Sequence, residues 1–176
     1  VAAYPTSSLS VRTIKQNGGR VDWSHSGNNL IAFDKLGTDG YFDVYVMKPD
    51  GSDEKCLTDK PGLVPQKHNG NPAWHPSGEY IVFEAEKESH YGNSSWSVPG
   101  SGINCDLWVV TSDGNRFYQL TNLSLWPLTG VLHPHFSHDG SKLLWAERLG
   151  PGGMWGEWAL KVADFIVDIN GVRLEN

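Results

Sequence analysis

"PHFSHDGSKLLWAER" (134–148) decides how this chain is read, because the same pattern occurs three times. It aligns with "VDWSHSGNNLIAFDK" (21–35) and "PAWHPSGEYIVFEAE" (72–86): an aromatic residue (Trp23, Trp74 or Phe136), a short turn with Gly27, Gly78 or Gly140, then an apolar run. Each copy predicts strand, tight turn, strand, with glycine supplying the positive φ such turns need. A second element follows each copy: "DVYVMKPDGSDEKCLTD" from Asp43, "DLWVVTSDGNRFYQLTN" from Asp106 and a weaker "ALKVADFIVDINGVRLEN" from Ala159. These read as strand, turn, strand again, with Pro49-Asp50-Gly51 and Ser112-Asp113-Gly114 as hairpin signals. The unit is four strands.

Spacing between the turn glycines is 51 and then 62 residues, so connections vary while strands do not. The runs "LIAF", "YIVF", "LLW", "VYVM" and "LWVV" are apolar on both alternate faces, which predicts sheets covered on both sides. With no helical periodicity between them, the economical fold is all-β: a β-propeller fragment of about three four-stranded antiparallel blades. A β-sandwich predicts no such repeat. The expected boundaries are an N-terminal segment (1–20) and blades at 21–70, 71–132 and 133–176.

These paired motifs resemble the TolB-type, WD-like propeller repeat, whose blades carry a Pro-Asp-Gly after the third strand and a Trp-Ser-Pro-Asp-Gly turn. The resemblance covers 21–176, and it implies a fold without fixing a function. The chain departs from the pattern at His25, His75 and His138, at or beside the turn proline, which are read as turn or interblade hydrogen-bonding residues. It departs again in the third blade, where "VADFIVDING" lacks Pro-Asp-Gly and a looser outer hairpin is expected. Propellers typically have 4 to 8 blades. Half of a six-bladed ring is therefore expected, completed by self-association with a second copy or by a missing second half. "LSVRTIK" (9–15) alternates like a closing outer strand; a frayed terminus is the competing reading.

Composition bounds the function. A formal charge of -6 with no basic run excludes a nucleic-acid footprint. Apolar runs of a few residues predict no membrane span and no signal peptide opens the chain. Cys56 and Cys105 allow one disulfide and demand none. The expected location is secreted or periplasmic.

Blade geometry sorts the loops into a face of tight turns and a face of long connections. The long ones carry Tyr41, His68, His90, Tyr91, Trp96, Trp126 and Trp155, the candidate ligand-binding residues for a protein or carbohydrate. Loop packing is the alternative role for these rings. His133 and His135, two apart on an innermost strand, are the candidate metal pair, matched by Arg20 with Asp22 and Asn71 with Ala73 in the other blades. Asp34 and Glu147 are read as matching carboxylates near that end, and Glu84 and Glu86 as a solvated rim. No cofactor is expected beyond a divalent metal at the two histidines. A peptidase would need a separate hydrolase domain with a nucleophile elbow, and no Gly-x-Ser-x-Gly occurs, so peptidase activity is not expected of this chain. Two functions follow: a non-catalytic binding or interaction module, or a polysaccharide-acting lyase or glycosidase with a His-based site at the channel mouth. Asn93-Ser94-Ser95 and Asn122-Leu123-Ser124 match the glycosylation pattern, which matters only in a eukaryotic secretory setting.

Overall fold

The computed structural model describes residues 11–92, 94–123, 128–150 and 156–175. Blade 1 is the antiparallel sheet β1 (Gly18–Trp23), β2 (Ile31–Leu36), β3 (Phe42–Met47) and β4 (Lys55–Cys56), in that order. Blade 2 is β5 (Asn69–Trp74), β6 (Tyr80–Glu86), β7 (Cys105–Thr111) and β8 (Phe117–Gln119). Blade 3 is β9 (Gly130–Phe136), β10 (Lys142–Gly150), β11 (Glu157–Asp168) and β12 (Gly171–Glu175). The first strands β1, β5 and β9 lie against one another, so they form the inner wall.

Register makes the paired strands of the three blades equivalent residue by residue. Trp23 pairs with Ile31, Trp74 with Ile81 and Phe136 with Leu143, so Ile31, Ile81 and Leu143 are equivalent. Blade 2 explains the doubly apolar strands. Ile81, Phe83 and Val110 pack towards blade 1 against Ala32, Val44 and Val46, while Val82, Leu107 and Val109 pack towards blade 3 against Leu143, Trp145 and Phe165. In blade 3 only one face is covered this way, so Leu143 and Trp145 are buried and the intervening Leu144 is exposed.

An Asp-Thr clamp ties the third strand to the end of the fourth. Thr58 Oγ1 accepts the Val44 N–H (3.0 Å) and donates to Asp43 (2.8 Å); Thr121 Oγ1 does the same with Leu107 and Asp106 (2.9 Å each). Blade 3 has Ala159 at the aspartate position, paired with Glu147 as Asp43 pairs with Lys35. Its outer hairpin is nevertheless not looser, correcting the expectation. β11 and β12 share five register pairs against two and three in the other blades, closed by a turn in which Asp168 accepts the Asn170 N–H (2.7 Å).

The stretch 9–15 is only partly described: Leu9 and Ser10 lie outside the described residues, and 11–15 is not a strand. Instead Ile14 packs on the Ile31, Phe33 and Met47 cluster, Lys15 and Lys35 both pair with Glu54, and Arg12 Nη2 donates to the Pro49 carbonyl (3.3 Å). This segment covers the outer face of blade 1. Cys56 and Cys105 are both free thiols. No helix among the described residues is long and apolar enough to cross a membrane.

Candidate functional site

Each inner strand is irregular at the same place: the pairing shifts between Gly18 and Val21, between Gly70 and Ala73, and between Leu132 and His135. Such bulges re-aim side chains. The equivalent residues there are Arg20, Asn71 and His133. Asn71 (φ 52°) and His133 (φ 54°) are left-handed, a conformation that asparagine and histidine tolerate better than most residues. The bulge residues link into a chain that crosses all three blades. Arg20 Nε stands 3.2 Å from Asp34 Oδ2, the Asn71 N–H donates to the same oxygen (2.9 Å), and the Asn71 amide meets His133 Nδ1 (3.0 Å).

Asp34 and Glu84 are the buried carboxyls of this end. Burial raises the Asp34 carboxyl against the opposing pull of the Asn71 N–H and Arg20. Burial pushes Glu84 up to about 8, although Oε1 accepts the Gly100 N–H (2.7 Å) and Arg20 also favours its charged form. Pro99 and Gly100 close over the pair: a side chain at Gly70 would collide with Pro99 and stand 2.7 Å from Asp34 Oδ2. Glycine is required there by close approach.

Two sequence readings are corrected at this point. The first turn is one residue longer in blade 1, so the equivalent of Asp34 in blade 2 is Glu84, and Ala146 holds the third position. Glu147 faces Trp145 Nε1 (3.2 Å) and Lys161 (3.6 Å) instead. Glu84 and Glu86 are not a solvated rim; both are fully buried. Glu86 Oε1 lies 2.5 Å from His90 Nδ1 and 3.9 Å from Lys67 Nζ.

His133 and His135 are held differently by the bulge. His133 is engaged with Asn71, while His135 lines a cleft of about 660 Å³ together with Asp22, His25, His75 and His138. Among the described residues no group of three His, Cys, Asp or Glu side chains is arranged to hold a metal ion. Of the turn histidines, His75 acts between blades: Nδ1 accepts the Ser77 N–H (3.1 Å), Nε2 lies 3.2 Å from the Gly140 carbonyl, and the ring packs on Phe136 and Phe165. His25 and His138 are exposed on that cleft.

On the long-loop face the candidate ligand residues separate. His68 is buried, its Nδ1 accepting the Phe42 N–H (3.2 Å) and its ring edge-on to Tyr41 (5.1 Å), so it packs the loop rather than presenting to solvent. His90 is bound to Glu86. Tyr91 and Trp96 stand out, 92 % and 56 % exposed. Trp126 and Trp155 lie outside the described residues. Sequence reasoning passed over Trp158, Arg148 and the link between Glu84 and Asp34; only the repeat register, counted through the longer first turn, would have revealed the last.

No protein-family model matches the sequence, and no curated protein matches it. Solved structures do. A putative TolB from Agrobacterium tumefaciens superposes with a TM-score of 0.55 at 20 % identity, covering 91 % of this chain and 50 % of that one. An endo-1,4-beta-xylanase from Bacteroides thetaiotaomicron gives 0.54 at 11 % identity, covering 96 % and 62 %. TolB from Acinetobacter baumannii gives 0.44 at 16 %, covering 89 % and 43 %. The chain spans about half the length of the TolB structures. Its three sheets are thus three blades of a TolB-like β-propeller fold.

Proposed function

We propose that this chain is a non-catalytic propeller module that binds a protein or carbohydrate ligand on its long-loop face, in a secreted or periplasmic setting. One observation carries the reading: the longest loop presents Tyr91 and Trp96 to solvent, while the carboxyls at the inner-strand ends are roofed by Pro99 and Gly100 of the same loop. Exposed aromatic rings on a rigid scaffold are the residues that dominate recognition. A screen against immobilised glycans and peptides tests it. Tyr91→Ala and Trp96→Ala are expected to weaken the selected ligand about tenfold or more, which corresponds to the loss of one good anchor. Unchanged binding in both variants would overturn it.

A second reading is favoured by one feature. Glu84, held up to about 8, carries a proton at neutral pH, as a general acid in glycoside cleavage must. On that reading the chain acts on a polysaccharide, with His133 and His135 at the channel mouth and a divalent metal as their partner. Stoichiometric metal that disappears in His133→Ala and His135→Ala, with loss of cleavage in Glu84→Gln, would support it. A metal-free protein with no cleavage of any polysaccharide would end it.

A further inference from the structure

Arg148 is the last residue of β10 paired on both sides, with Gly130 on β9 and Trp158 on β11, and it is only 4 % exposed. Among the described residues one of its five N–H donors is satisfied, by the Leu128 carbonyl, and Nε is buried with no partner. Two other buried or half-buried cations have carboxylates: Arg20 has Asp34 and Lys87 has Asp106 (2.8 Å). Arg148 has none among the described residues, and the residues outside them include no Asp or Glu. A desolvated guanidinium without a counter-ion is costly. It lies against Gly156, where an added Cβ would stand 2.3 Å from its Nε.

Arg148 lines a cleft of about 370 Å³ between the long loop of blade 2 and the strand ends of blade 3. Trp96, Gly100, Ser101, Ile103, Leu132 and Trp158 form its other walls. Its size falls in the range of small-molecule sites, and its walls are mostly apolar, with Ser101, whose hydroxyl donates to the Trp96 carbonyl (2.6 Å), and one planar cation as the polar groups. A guanidinium fork matches a carboxylate bidentately, and an indole face receives a flat ring. We propose that this cleft binds a small ring-bearing carboxylate, its carboxylate on Arg148 and its ring against Trp96 and Trp158. The proposal deepens the long-loop reading, on which it rests, by assigning one subsite and one ligand chemistry.

Titration calorimetry with glucuronate and with benzoate, against glucose and benzyl alcohol as neutral counterparts, tests it directly. At least one carboxylate is expected to saturate the protein about tenfold more tightly than its neutral counterpart. Glucuronate alone identifies an acidic sugar, and benzoate alone an aromatic acid; either supports the site. Arg148→Lys, which keeps the charge and loses the fork, is expected to cost about tenfold. Trp96→Ala lies on an exposed loop and leaves the fold intact, so it reports on the cleft even if Arg148→Lys does not fold. It is expected to weaken the carboxylate several-fold. Equal binding of charged and neutral probes, no saturation by either carboxylate, or a folded Arg148→Lys with unchanged affinity would each overturn the proposal. If the carboxylates fail while Tyr91→Ala still weakens a glycan or peptide, the subsite falls and the loop-face reading stands.

Discussion

The two end blades carry equivalent strands and treat their outward faces in opposite ways. On blade 1 the outward Ile31, Phe33 and Met47 are buried, because Ile14 and its neighbours lie across them. On blade 3 the outward Leu144, Leu160 and Val162 are exposed, Leu160 by 78 %. By register these three correspond to Ala32, Val44 and Val46 in blade 1 and to Val82, Leu107 and Val109 in blade 2, all of which are buried. The same pattern that makes an interior face between blades therefore makes an apolar surface where no described residue covers it. Burial here is a property of position in the stack rather than of the repeat.

The sharpest way to break this comparison is to truncate equivalent leucines. Leu107→Ala is expected to cost about 2–5 kcal/mol in chemical denaturation, as a core cavity does. Leu160→Ala is expected to stay within about 0.5 kcal/mol, as for an exposed site. Equal costs would mean that the blade 3 face is covered in solution, and a doubled solution mass that falls in Leu160→Asp would identify the cover as a second copy.

Next in size is the buried carboxyl of blade 2. The folded chain holds the Glu84 proton to about 8, against an ordinary 4.5 when unfolded, so the folded state binds more protons in that interval. Stability contributed at this site therefore falls as pH rises from about 4.5 to about 8, by at most ~1.4 kcal/mol per pH unit. Glu84→Gln should lose that slope, read as the difference between wild-type and variant denaturation curves across the interval.

Smaller again is the clamp that blades 1 and 2 have and blade 3 lacks. Thr58→Val and Thr121→Val leave a strand N–H and an aspartate without their hydroxyl, at about 1–3 kcal/mol each in thermal or denaturant unfolding. Smallest is the cap: Ile14→Ala should cost about 1 kcal/mol, the burial of a partly covered aliphatic chain, and should raise binding of a hydrophobic dye at blade 1.

What was legible in the sequence was local. Gly78 and Gly140 sit in their turns with positive φ, whereas in the longer first turn Asn29 (φ 50°) takes that conformation instead of Gly27; Trp74 and Phe136 end the inner strands, so the repeat could still be counted. What was missed depends on three dimensions or on a one-residue offset. The extra residue in the first turn of blade 1 displaced the match of Asp34 from Glu84 to Glu147. The bulges at Asn71 and His133 broke the two-residue alternation that placed His133 beside His135 on one face. No residue type in "HPHF" announces a bulge, and nothing in a charged strand end such as "FEAE" announces that Glu84 is roofed from a loop sixteen residues on. The compact hairpin of blade 3 did leave a signal, Asn170-Gly171, which is as strong a turn marker as the missing Pro-Asp-Gly.

Two amides of the blade 2 inner strand carry a last consequence. The Asn71 and Trp74 N–H groups donate to carboxylates of blade 1, Asp34 (2.9 Å) and Asp22 (2.6 Å). Their exchange with deuterated solvent is therefore governed by separation of the two blades rather than by fraying of their own sheet. Two backbone positions thus serve as a built-in gauge of the blade 1 to blade 2 seam, readable without a label.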